Sequence, residues 1–238
     1  MITDYVALDL ETTGLDPKKN KIIELGAVHI KDDIIIEEYQ TMINPGWKLS
    51  ETVMELTGIT DEELITAPTI DEKIGEILDF IGDRVILGHS ILFDYSFLKR
   101  AAVNHKLSFE AYAIDTLKVA RKYLSELPSR NLHAVCLYYG IDHKEHRALE
   151  DARATHELYL HLKDDFYNEE TVGDFEPAPL HYQVKREGPI TKAQKERLLN
   201  MLRLHKINPE YDVNRLTKNE ASRIIDGIIL KYGRLPNV

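Results

Sequence analysis

With one cysteine in 238 residues, the chain has no internal disulfide available, so its stability has to come from packing. That residue, Cys136, falls on the apolar stripe Leu132, Val135, Cys136, Tyr139, which marks it as a small core side chain rather than a nucleophile. No apolar run approaches the roughly 18 residues that would span a bilayer. The N-terminus also lacks a basic and then apolar leader, so a cytoplasmic protein with no membrane partner is expected. Gly-rich phosphate loops, G-x-S-x-G elbows, internal repeats and low-complexity tracts are all missing. His156-Glu157-x-x-x-His161 misses the zinc-protease spacing by one residue and would splay its imidazoles around a helix. The run from His143 to His146 is metal-like in composition but has no Cys or further His at a useful distance.

What remains is an ordinary globular composition, 43% hydrophobic and 29% charged, long enough for one good core and a smaller appendage. Its charge is uneven. Residues 181–238 hold 12 Lys and Arg against 6 Asp and Glu, a balance of +6, so the remainder carries −16 of the overall −10. The acidic part cannot hold a polyanion by bulk attraction, and if it handles phosphates, bound metals must supply the local positive charge.

The stretch Asp4 to Leu15, DYVALDLETTGL, organises the rest. With period two, Tyr5, Ala7, Asp9 and Glu11 share one face of a strand, while Val6, Leu8 and Leu10 share the other. Two neighbouring carboxylates on such a strand repel and are costly to desolvate, so they ask for a cation or for solvent at a sheet edge. The β-rich runs Ile22 to Lys31 and Ile34 to Ile43 follow with short joints, predicting an antiparallel meander. Short helices are expected over 50–57 and 60–65. Longer ones are expected behind the capping box at Thr69, then over 91–104, 115–123, 131–139 and 147–162, with a strand at 84–87. That order predicts an α/β fold with a mixed sheet flanked by helices over residues 1–166. Residues 167–189, acidic and proline-bearing, are expected as a linker. Capping boxes at Thr191 and Thr217 open two more helices, giving a small basic helical domain over 190–238.

Two further stretches carry chemistry-bearing residues. GHSILFD places Asp94 in the first turn of a helix, which is also a common helix-dipole position. In HRALEDA, five residues turn a helix by about 500°, so His146 and Asp151 converge only if His146 lies on the loop before it.

Asp9-x-Glu11, Asp94 and His146-x-x-x-x-Asp151, flanked by ETTGL, GHSILFD and HRALEDA, together resemble the DEDDh 3′–5′ exonucleases. This family has a ribonuclease H-like fold and includes the proofreading epsilon subunit of bacterial DNA polymerase III. The resemblance covers about residues 4–163, with TGIT (57–60), Ala67-Pro68 and Asp115-Thr116 as weaker signatures. It implies that Asp9, Glu11 and Asp151 hold a first metal ion, that Asp9 bridges to a second, and that Asp94 contributes through water. Hard carboxylate oxygens suit two Mg2+ or Mn2+ ions per site. His146 is implied as the general base, a role that suits imidazole because its ordinary titration lies near neutral pH.

Substrate contacts implied by the same resemblance are Thr12, Thr13 and Gly14 by backbone, Leu15 as an apolar wedge, and His89 and Phe93 lining the groove. For Leu15 and Phe93 the other use of an apolar side chain is ordinary core packing. Ser90 departs from the family, which often has Asn there. The expected activity is release of nucleoside 5′-monophosphates from 3′ ends of single-stranded or frayed DNA. A 3′–5′ exoribonuclease and a non-catalytic nucleic-acid-binding or polymerase-assembly module stay open as alternatives. The C-terminal helices read equally as an added nucleic-acid grip or as a docking site for a polymerase or other protein.

Overall fold

Alternation in the opening segment produces a strand buried on both sides. In a computed structural model describing residues 2–142, 146–209 and 211–233, β1 (Asp4–Thr12) pairs antiparallel with β2 (Ile22–Lys31), which pairs antiparallel with β3 (Ile34–Met42). The meander is therefore as expected. Parallel to β1 on its other side run β4 (Val85–Gly88) and then β5 (Tyr112–Asp115); β6 (Ala178–Pro179) closes the far edge antiparallel. The sheet order is β3-β2-β1-β4-β5-β6.

Helices α1 (Glu51–Thr57) and α2 (Asp61–Ile65) follow the meander, and their core with Ile23, Leu49, Ile59 and Leu64 is separate from the main ones. Val6, Leu8 and Leu10 of β1 face α3 (Ile70–Ile81) and α4 (Leu92–Asn104), packing with Ile74, Ile77, Tyr95 and Leu98. Tyr5 and Ala7 face α5 (Thr116–Tyr123), α6 (Leu132–Tyr139) and α7 (Ala148–Phe166), with Val119, Val135, Leu158 and Leu162. The sheet thus sits between two helical layers, and each face of β1 supplies one core. Cys136 is buried in the second.

The boxes at Thr60 and Thr69 form, with Glu63 and Glu72 returning to the capping backbone. Strand β5 was not expected: its four residues are too few to show a period, and Asp115 reads as part of the following helix, which it caps from outside. The linker expectation needs correcting in its first half. Phe175 is buried against Tyr123, Tyr159 and Tyr167. Leu180 donates its N–H to Ala111, and Ala178–Pro179 forms the edge strand. Proline suggests a linker, yet an edge strand tolerates it because its missing N–H can face away from the sheet.

The chain divides into two compact units, Met1–Val184 and Lys185–Val238. In the second, α8 (Lys192–Leu204) and α9 (Lys218–Tyr232) both open on the expected capping boxes. They bury Leu198, Met201, Leu202, Ala221, Ile225 and Ile228 between them. Leu216 and Ala221, which flank the Thr217 cap at the positions of a hydrophobic staple, are both in this core. No described helix is long and apolar enough to cross a membrane.

Candidate active site

Asp9 and Glu11 occupy the C-terminal half of β1, on the face covered by α7. Directly opposite Asp9 in the antiparallel register is Gly26 of β2. A Cβ at Gly26 would lie 2.1 Å from the backbone nitrogen of Leu149 and 2.2 Å from the carbonyl carbon of Ala148. The first turn of α7 therefore rests on β2 at the one residue without a side chain, and this approach carries Asp151 to the carboxylates of β1.

Glu24, two residues earlier, fixes the same turn. It is fully buried and accepts from Arg147 Nη2 at 3.0 Å, from Arg147 Nε at 3.3 Å to each oxygen, from the Ala148 N–H at 3.2 Å and from Gln40 at 2.6 Å. Both oxygens of this interior carboxylate are engaged, and Arg147 is committed to it. Neither Glu24 nor Gly26 was singled out in the sequence. The available signal was a glycine inside a strand, which marks close approach of another backbone.

Carboxylate oxygens of Asp9, Glu11 and Asp151 come within 4.8 Å of one another. Asp94, 3% exposed in the first turn of α4, accepts from the Leu10 N–H at 3.1 Å, so its carboxyl is held between the two acidic residues of β1. Burial, followed by the charges of Asp94, Asp151 and Glu11, pushes Asp9 well above the ordinary carboxylate range. Glu11 is pushed up to about 8 by burial, Asp151 and Glu24, against an opposing pull from Arg147. Asp94 is also raised, chiefly by burial, although the N–H groups of Leu10 and Asp94 itself favour its charged form. A donor set of crowded hard oxygens with this unmet demand for positive charge fits a divalent cation.

His146 lies in the turn before α7, as convergence with Asp151 requires, and adopts φ 58°. That left-handed conformation is uncommon for a non-glycine residue. Residues 143–145, the remainder of the metal-like run, lie outside the described residues. The two imidazoles of α7 diverge, as their spacing requires: His156 Nδ1 is 3.0 Å from the Tyr5 hydroxyl, whereas His161 stacks on Tyr139.

Beyond β1 the chain turns tightly. Thr13 N–H donates to Lys21, the Thr12 hydroxyl donates to Gly14, and Gly14 has φ 151° with Asn20 packed where a Cβ would be. Leu15 projects from this turn 84% exposed, which excludes core packing as its role. Phe93 is half-buried against Phe97 and joins the core, so packing accounts for part of its surface and leaves the rest open. His89 has both ring nitrogens engaged, Nε2 with the Arg130 carbonyl at 2.7 Å and Nδ1 with the Thr116 hydroxyl at 2.9 Å. Nε2 must donate, so in the neutral ring Nδ1 accepts; burial favours that neutral form. His89 therefore offers a ring face, with no free hydrogen-bonding atom. Ser90 has φ 73° and donates its N–H to Asp115, so its place is set by backbone rather than by its hydroxyl.

A mixed sheet of this order between two helical layers, with acidic side chains gathered at the end of its central strand and at the starts of two helices, is the ribonuclease H-like fold. Residues 6–159 match the model of the exonuclease family RNase_T. The chain belongs to the exonuclease family, and the enzyme class expected from its motifs, a 3′–5′ exonuclease, stands. It is 33% identical over 184 residues to the DNA polymerase III subunit epsilon of Aquifex aeolicus, covering 76% of this chain and 88% of that one. It is 42% identical over 158 residues to the PolC-type DNA polymerase III of Thermotoga maritima; that match takes in 66% of this chain but 12% of the much longer polymerase. Among solved structures, exonuclease X in complex with 5′ overhanging duplex DNA superposes with a TM-score of 0.57 at 21% identity, covering 72% of this chain and 98% of that one.

Proposed function

We propose that this exonuclease depends on divalent metal and removes nucleoside 5′-monophosphates from the 3′ ends of single-stranded or frayed DNA. The meeting of Asp9, Glu11 and Asp151, with Asp94 anchored beside them, is the observation that supports it. Two Mg2+ or Mn2+ ions, when bound, would supply the positive charge that an attacking hydroxide, a phosphoryl group and a leaving oxygen require. Asp9, Glu11 and Asp151 would hold the first, and Asp9 and Asp94 would serve the second. His146 takes the proton from the attacking water. The backbone of Thr12, Thr13 and Gly14 faces the terminal nucleotide, exposed Leu15 wedges against its base, and His89 and Phe93 present ring faces to the groove.

Kinship with a DNA polymerase III subunit favours DNA over RNA and supports cytoplasmic work beside a polymerase. A 5′-labelled single strand incubated with manganese is expected to shorten from its 3′ end and release monophosphates, with no shortening in chelator or in Asp9→Ala. Cleavage without metal, or full activity in Asp9→Ala, overturns the reading. Matched ends differing only in sugar decide between DNA and RNA.

A further inference from the structure

The second unit carries a charged surface that the catalytic reading does not use. Two of its acids are engaged by its own fold. Glu220 is buried and closes the capping box of α9 by accepting from the Thr217 N–H. Asp212 accepts from Asn214 and pairs with Arg215. Most of its described cations are exposed. On α8, Lys192, Lys195 and Arg203 fall at helical spacings of three and eight, which puts them on one face with Leu199 between them. Lys192, Leu199 and Arg203 are exposed and Lys195 is half-exposed, while Leu198, Met201 and Leu202 turn inward.

Two sets of hydrogen bonds tie α8 to the rest of the unit. Lys195 Nζ donates to Asn214, bringing Arg215 of the adjoining turn alongside. Gln194, on the other side of α8, donates to the Lys218 carbonyl and to Ser222 and so ties the start of α9, where Lys218 is exposed, to the start of α8. From Lys192 to Arg203 the stripe runs roughly 16 Å at 1.5 Å per residue. Glu196, four residues after Lys192, lies on this same face, and with exposed Asp212 and Asp226 it reduces the field of Lys192, Lys195, Arg203, Arg215 and Lys218 without cancelling it.

We propose that this face of α8, with Lys218 and Arg215, is an accessory binding surface for the sugar-phosphate backbone of single-stranded nucleic acid. The polymer concerned is the one the proposed catalytic reading takes as substrate, and the inference rests on that reading for this identity. Charge complementarity carries the assignment. The rest of the chain is strongly acidic and repels a polyanion, whereas in this unit Lys and Arg outnumber Asp and Glu by 12 to 6. Leu199, apolar and exposed within the stripe, suits an unstacked base, which a duplex would keep hidden.

The full chain in chelator, titrated with a fluorescent oligo-dT at several salt concentrations, tests this. Relative to wild type, the variant K192Q/K195Q/R203Q/K218Q is expected to bind about tenfold more weakly at low salt. The slope of log affinity against log salt should shrink by roughly 0.7 for each phosphate no longer neutralised. A charge-conserving set, K192R/K195R/R203K/K218R, should keep both. Unchanged affinity and slope in the glutamine variant overturn the proposal, as does an equal drop in the conserving set. Turnover of a single-nucleotide phosphodiester ester with manganese should be the same in wild type and variant. If wild type fails on that ester while the salt effect is present, the catalytic reading falls and the binding surface stands.

Discussion

Asp9, Glu11 and Asp94 are held where a carboxylate resists ionising, and that is a stability cost without a cation to meet it. The side chains that make the crowding possible are Glu24 and Arg147. Truncating Glu24 to Ala would leave Arg147 and the Ala148 N–H without their acceptor and loosen the turn that presents Asp151. A stability loss of about 3–5 kcal/mol is expected, the scale for breaking a buried pair, together with weaker manganese binding by calorimetry. Wild-type melting and metal affinity in Glu24→Ala would show that α7 is positioned by other interactions. For His146→Ala a loss of about 10²- to 10⁴-fold in kcat is expected, with manganese affinity largely kept, because in the proposed function the residue moves a proton and holds no ion. A wild-type rate would remove it as the base.

At the scale of elements, the junction of α7 with β2 determines whether the site exists. Gly26→Ala would thrust a methyl into the backbone of Leu149, so α7 must shift away from Asp9. Activity should fall by more than tenfold, and melting should drop together with metal affinity; retention of both would mean the junction can relax freely. Several elements were legible in the sequence for physical reasons. The faces of β1 follow from strict alternation and the helix starts at Thr60, Thr69, Thr191 and Thr217 from reciprocal capping chemistry, while helix geometry set only the condition that His146 lie in the turn if it is to converge with Asp151. Asp9, Glu11 and Asp151 meet although Asp151 is far from the other two in sequence, and it was the resemblance to the DEDDh exonucleases that implied that meeting. Strands β5 and β6 escaped because so few residues carry no period, and Phe175 was hidden in a proline-bearing acidic stretch whose composition resembles free chain. Glu24 escaped because its partner Arg147 is remote in sequence and an isolated strand glutamate reads as surface.

For the molecule as a whole, proton binding at the site links stability to pH. Folded, Glu11 keeps its proton up to about pH 8, whereas an unfolded Glu releases it around its ordinary 4.5. Between these values the folded state binds more protons, so stability falls as pH rises across that window. Divalent ions favour the ionised form, so their stabilisation grows in the same direction. Melting in chelator should therefore decline from pH 5 to 8, and millimolar manganese should flatten or reverse the decline; parallel curves with and without manganese would contradict the linkage.

The most direct measurement of the central claim is anomalous diffraction from crystals of the protein grown with manganese and a nucleoside 5′-monophosphate. The account predicts a manganese peak at about 2.2 Å from carboxylate oxygens of Asp9, Glu11 and Asp151, with the phosphate beside it. Manganese bound elsewhere, or none among these three side chains in protein that still degrades DNA, would contradict it.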